Sequence, residues 1–214
     1  MAAENDDTES APAPDPDPGA NQPLDTYLNG LSRLTHLSVE ATVWYIYHLA
    51  RITYDHPGMS RWLFDTVNAF LHQYGSSLPQ PLACRMQAVR AFALKHMMDN
   101  DPFRYAAEAL DASLNAQKYD FRETDFDLWV FNRYHEGSFR IWQVQTNYRE
   151  NIECSIACCN ELLDLLTGPQ WLKLRRALHN NLGMAYNRRV AGNRADNIEN
   201  ARLHYLRAWD IASE

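Results

Sequence analysis

Along almost the whole chain after residue 22, apolar residues recur three and four positions apart, the spacing that gathers them on one face of an α-helix. The first such segment covers about 24–34. A second opens after Ser38 and runs to about Tyr54, with Val39, Val43, Ile46, Tyr47 and Ala50 on a common face. Asp55-His56-Pro57-Gly58 supplies the turn chemistry that ends it. Ser60 is placed to cap a third helix with Leu63, Phe64, Val67, Phe70 and Leu71 inward and a stop near Gly75. A long helix from about Leu82 to Met98 follows. Asp101-Pro102 opens the next, to about Lys118: the carboxylate accepts a first-turn N–H, and proline sits where a missing N–H costs nothing.

Residues 119–127 show no clean period and read as a loop passing into a helix at about 126–135. The stretch FRIWQVQ, 139–145, fits strand or helix by pattern alone. Its place in a repeat selects helix. Clearer helices follow at about 149–166, 170–190 and 196–213, with Gly168-Pro169 punctuating the first gap.

Shifting the sequence by 46 residues lays Asn151-Ile152-Glu153 over Asn197-Ile198-Glu199. The same shift matches Gly137 with Gly183, Val144 with Val190, Asn147 with Asn193, and Asp164 with Asp210. A period of that length made of two helices signals a stacked helical array. Within its last unit, Leu182-Gly183-x-x-Tyr186 followed by Ala201-x-x-x-Tyr205-x-x-Ala208 resembles the tetratricopeptide repeat. Gly183 and Ala201 would let the paired helices approach, while Leu182, Tyr186 and Tyr205 fill the space between them. The 18 residues from Gly183 to Ala201 exceed the family's usual spacing. With that longer connection, LHNNLGMAYNRRVAGNRADNIENARLHYLRAW is similar to the repeat subtype that precedes caspase-like CHAT peptidase domains.

The expected fold is therefore all-α: antiparallel helical hairpins stacked as a tetratricopeptide-like solenoid. Residues 1–22 form a disordered acidic, Pro-rich tail, 23–120 a helical-hairpin region, and 121–214 the repeats, degenerate over about 133–167 and clear over 170–213. Charge supports this division. The formal net charge is −7, but residues 1–20 carry six acids and no base, leaving 21 acids against 20 bases in the other 194 residues. A nearly neutral folded part carries no nucleic-acid footprint. The run APAPDPDPG blocks helix and sheet pairing. Neither a signal peptide nor a membrane-spanning stretch is read, so the chain is expected to be cytoplasmic, with its four cysteines reduced.

Candidate chemistry is sparse. Cys154, Cys158 and Cys159 crowd one predicted helix, but a tetrahedral metal needs four ligands and no histidine stands at the usual spacing. They read as small hydrophobes, so no metal, cofactor or catalytic residue is assigned. An enzyme using Cys and His residues at the hairpin groove is the alternative. A nucleic-acid binder is a second, since residues 169–214 hold eight bases against four acids, Arg188, Arg189 and Arg194 among them. The resemblance implies that the first helix of each hairpin lines a groove. In that register Ala177, Asn180, Met184, Asn187 and Arg188 face a protein or peptide partner, asparagine pairing with a peptide backbone and arginine clamping a carboxylate. A stacked array also exposes an apolar face at its end, so stacking or self-association through Leu206 and Trp209 is expected. The reading is a non-catalytic scaffold for protein–protein interaction, the resemblance implying a sensing or regulatory part of a CHAT-type protease system.

Overall fold

A computed structural model describes residues 37–52, 59–98 and 101–213, and every regular element in them is helical. The acidic tail, the segment at 24–34 and the turn at 55–58 lie outside the described residues. Eight α-helices are described: α1 Val39–Ile52, α2 Ser60–Tyr74, α3 Gln80–Met98 and α4 Pro102–Ala116, then α5 Phe126–Trp142, α6 Tyr148–Leu165, α7 Leu172–Arg188 and α8 Arg194–Ser213. Short 3-10 turns at Gly75–Ser77 and Pro169–Trp171 prolong α2 and lead into α7. None of these helices is long and apolar enough to cross a membrane.

Local chemistry sets most boundaries. Asp101 accepts a hydrogen bond from the Arg104 N–H with Pro102 at the start of α4, as expected. Asp125 does the same for Leu128 at the start of α5. Three expectations are corrected. Ser60 is the first residue of α2 and is buried, while Met59 holds the cap position without a side-chain bond. The stretch 139–145 is helical only to Trp142, where Asn151 of α6 takes up the carbonyls of Gln143 and Thr146. And α7 spans 172–188 within the expected 170–190, because Pro169–Trp171 forms a separate 3-10 turn.

Helices adjacent in sequence pack as pairs, and α1, α3, α5 and α7 also touch in a row. The apolar core is continuous across residue 120, since Leu128 of α5 joins the cluster of Val43, Leu63 and Val89. Phe121, in the aperiodic segment before α5, is among its most deeply buried side chains. In α3, residues all round the helix are buried, because α1, α2, α4 and α5 all pack on it.

The 46-residue shift is carried into three dimensions. Helix α5 starts and ends 46 residues before α7, and α6 starts 46 residues before α8. Asn151 donates to the carbonyls of Gln143 and Thr146, and Asn197 to those of Arg189 and Ala191. Each buried asparagine thereby satisfies carbonyls left over where the preceding helix ends. Gly137 lies against Cys158 and Cys159 of α6, and Gly183 against the ring of Tyr205 on α8. A Cβ at Gly183 would stand 2.6 Å from that ring, so any side chain there forces Tyr205 outward.

Candidate functional site

The row of odd-numbered helices carries the features best suited to binding. Between α1, α3 and α5 lies a cleft of about 310 Å³. Tyr47 and Ala50 of α1, Val89 and Phe92 of α3, and Phe131 of α5 give it apolar walls. The Tyr47 hydroxyl donates to Asp125 at 3.2 Å, which fixes the orientation of its ring. Arg51 and Asp127 also line the cleft and form a half-exposed ion pair, N to O 3.5 Å.

His135 lines the cleft too and is buried, with neither ring nitrogen bonded among the described residues. Its ring stacks on Phe139 and lies near Phe131 and Phe92. Burial, helped by the positive charges of Lys95 and His96, holds its pKa well below the usual imidazole value, so the ring is neutral. Sequence alone gave no mark of this residue. Three helices distant along the chain make the cleft, and periodicity within one helix cannot report it.

Beneath the cleft, Arg85 is buried against Asp125 and stacks over the rings of Trp44, Tyr47 and Phe121, at 4.2, 4.6 and 5.1 Å to the centroids. Burial alone would raise the Asp125 pKa, but bonds from Arg85, the Leu128 N–H and Tyr47 outweigh it and lower it. A second charged network joins α4, α5 and α6. Glu136 accepts from Arg133, Arg140 and Gln117, while Arg133 reaches on to Glu161 and Arg140 to Asn151.

The predicted partner residues share one face of α7. Asn180 and Asn187 are exposed, and Met184 is half-buried against the core of the second pair of hairpins. Arg188 is engaged within the fold: it donates to the Ile141 carbonyl at 2.8 Å and lies 4.2 Å from the centroid of the Trp142 ring. Its neighbours are engaged as well. Arg189 makes a bidentate pair with Glu153, and Arg194 donates to the Asn187 carbonyl. These three arginines of the basic segment thus serve intramolecular bonds.

Cys84 and Cys159 lie in the apolar core, Cys158 is buried beside the charged network of Glu136, Arg133 and Arg140, and Cys154 is half-buried. Burial pushes the thiols of Cys158 and Cys159 up to about 12 and raises Cys84 as well, which disfavours the thiolate that nucleophilic or metal chemistry requires. Among the described residues no group of three or more His, Cys, Asp or Glu is arranged to hold a metal ion.

A second, more polar cleft of about 440 Å³ lies between α6, α7 and α8. In it His179 and His204 meet Nδ1 to Nδ1 at 3.1 Å, so one nitrogen donates and the other accepts. Burial first, then His204, Arg207 and Arg175, brings the His179 pKa down to about 4; burial and Arg207 lower His204. All three histidines therefore stay neutral in the fold at pH values where the unfolded chain, with imidazoles near 6.5, takes up protons. Stability is expected to be flat above about pH 7 and to fall as pH drops from about 6.5 toward 4. Urea midpoints at pH 7.5 and pH 5 check this, and a His135→Phe variant should show a shallower decline. Equal midpoints would contradict it.

On α8, residues whose counterparts in α6 are covered stand open. Ile198 is 49% exposed where Ile152 is 1%, and Tyr205 is 41% exposed where Cys159 is 1%. Trp209 is 72% exposed, and Leu203 and Leu206 are exposed beside it. Searches by family model, by curated protein and by solved structure find no match to this chain.

Proposed function

We propose that the chain is a non-catalytic, tetratricopeptide-like helical scaffold for protein–protein interaction. It works through two surfaces: the face of the odd-numbered helices, where Asn180, Met184, Asn187 and Arg188 continue the row begun at the cleft, and the outward face of α8. Support for the solenoid comes from the row α1–α3–α5–α7 and from the 46-residue equivalence of α5–α6 with α7–α8. Buried, weakly acidic thiols favour a scaffold over a Cys-dependent enzyme, and the engaged arginines favour it over a nucleic-acid binder. The likeness of 170–213 to the repeats that precede CHAT domains makes regulation of such a peptidase in the cytoplasm the context we favour.

The observation that carries this reading is the α8 face, where Ile198, Leu206 and Trp209 stand exposed beside the outer edge of Tyr205, while Ile152 and Cys159, the α6 counterparts of Ile198 and Tyr205, are covered. Contiguous exposed apolar side chains of this kind mark interaction surfaces. The occupant this face fits is a second copy of itself. Two α8 helices crossing antiparallel about Tyr205 and Leu206 would set Arg202 of one, which pairs with Glu199 on its own helix, beside Trp209 and Asp210 of the other, adding a ring and a second carboxylate around that cation. Binding of a fluorescent apolar dye tests the surface. The wild type should enhance its emission, and the double variant Leu206→Glu/Trp209→Glu should lose most of that signal at unchanged helicity. No enhancement with the wild type would remove the reading.

A further inference from the structure

We propose that the polar cleft between α6, α7 and α8 receives a carboxylate, that of a glutamate or aspartate in a partner peptide, held between Arg175, Arg207 and the paired imidazoles of His179 and His204. The inference rests on the scaffold reading and adds a further contact to it, on a different side of α7 from Asn180 and Met184. The two copies of the hairpin show what is missing. The 46-residue shift lays His179 over Arg133, His204 over Cys158 and Arg207 over Glu161. In the earlier copy the carboxylate of Glu161 accepts from Arg133 at 2.8 Å and lies 3.8 Å from Arg122. In the later copy an arginine stands at the position of that acid, and His179, His204 and Arg207 line an open cleft of about 440 Å³. The later copy has the cations without the anion, which a partner can supply.

The lining fits such a guest. Among the described residues Arg175 and Arg207 form no ion pair, although both line the cleft. Arg207 is exposed, and Arg175 is half-buried with its Nε closed off, so it reaches a guest through its terminal nitrogens. His179 is 7% exposed and meets His204 through Nδ1, and neither ring's Nε2 is bonded or closed off among the described residues. Whichever ring accepts at Nδ1 carries its own proton on Nε2, a further donor for a carboxylate oxygen. Arg207 acts on both rings and Arg175 on His179, in each case against protonation, which marks a positive field around the pair. Asp164 and Asp210 also line the cleft and are exposed. They disfavour a doubly charged phosphate against a singly charged carboxylate, and a lysine flanking the acid on the partner would meet Asp164.

The test titrates the full chain with acetyl-Lys-Glu-Lys-amide and with its glutamine counterpart, which has nearly the same shape but no carboxylate, and follows the ring ¹⁵N resonances of His179 and His204. The glutamate peptide should bind saturably and shift those resonances, with the glutamine peptide about ten-fold weaker, the worth of hydrogen bonds to a charged group. Bulk charge works the other way, since the chain carries a formal −7 and the glutamine peptide is the more positive of the two. In Arg207→Glu, which puts back the acid of the earlier copy, the two peptides should bind alike. The wild-type comparison needs no variant, so a misfolded Arg207→Glu would leave the test standing. Equal binding of both peptides to the wild type, or a preference that survives in a folded Arg207→Glu, would overturn the proposal. Tighter binding of acetyl-Lys-phosphoserine-Lys-amide than of the glutamate peptide would make phosphate the ligand and the carboxylate wrong. Free glutamate binding as tightly as the glutamate peptide would remove the peptide occupant. If no probe binds, the cleft proposal falls alone, because the α8 surface is judged by dye binding and by sedimentation.

Discussion

Replacing Arg85 with alanine is expected to cost about 3–5 kcal/mol of stability, because it breaks a buried ion pair. The guanidinium lies between α1, α3 and the start of α5, with its side chain 7% exposed and that of its partner Asp125 17% exposed. Removing it strands a carboxylate that burial would already neutralise were it not for its bonds. It also removes the cation packed over Trp44, Tyr47 and Phe121. The loss is of a partner more than of volume, so Arg85→Met should still be strongly destabilised. The double change Arg85→Met/Asp125→Asn should recover much of the deficit, since the amide can still cap α5 without a charge. Urea unfolding of the four proteins at pH 7.5 gives the comparison. A double variant as unstable as Arg85→Met would show that the pair contributes nothing as a pair. Tyr47 belongs both to this network and to the cleft wall.

Glu136→Ala is expected to cost about 3 kcal/mol. Its carboxylate is 5% exposed and is shared by two arginines on its own helix, Arg133 at 2.6 Å and Arg140 at 2.8 Å, with Gln117 at 3.1 Å from the end of α4. Without it the two guanidiniums keep Glu161 and Asn151 as partners but face each other across a hole. Burial would raise the Glu136 pKa, yet the bonds from Gln117, Arg133 and Arg140 win and lower it. A carboxylate with a depressed folded pKa contributes stability above its unfolded value, about 4.3, and that contribution is lost as pH falls through the folded value. Glu136→Gln should therefore be less stable than the wild type at pH 7, with the gap closing below about pH 4. That window lies below the histidine-driven decline, so the two can be separated. A gap that stays constant from pH 7 to pH 3 would assign the loss to packing instead of charge.

How far the fold could be read from the chain depended on how local each determinant was. The helices were legible because apolar spacing, Asp101-Pro102 and Gly168-Pro169 act within a few residues. The equivalence of two hairpins was legible because Asn151 and Asn197 do the same job, tying the start of one helix to the end of the one before it. What could not be read was set by packing between distant segments. Arg85 sits on a helix covered by four others, so no polar face announced that its charge was buried. Phe121 anchors the core from a stretch without a period. Asp125 was hidden in that same stretch, although an acid just before a predicted helix start is a cap signal that could have been used. The expected groove residues fall on one face of α7, but the intramolecular bonds of Arg188 depend on the end of α5, 47 residues earlier. His135 had no signal at all, since its surroundings come from α1, α3 and α5 together.

We propose that α8 presents an adhesive face and that a second copy of the chain fits it. Sedimentation velocity of the wild type and of Leu206→Glu/Trp209→Glu, over a hundred-fold range of concentration, tests it most directly. Both residues are exposed, so the substitutions should leave the fold intact. The wild-type sedimentation coefficient should rise with concentration toward that of a dimer, and the variant should stay at the 24.7 kDa monomer throughout. A wild type that remains monomeric across the range and binds no apolar dye would contradict it.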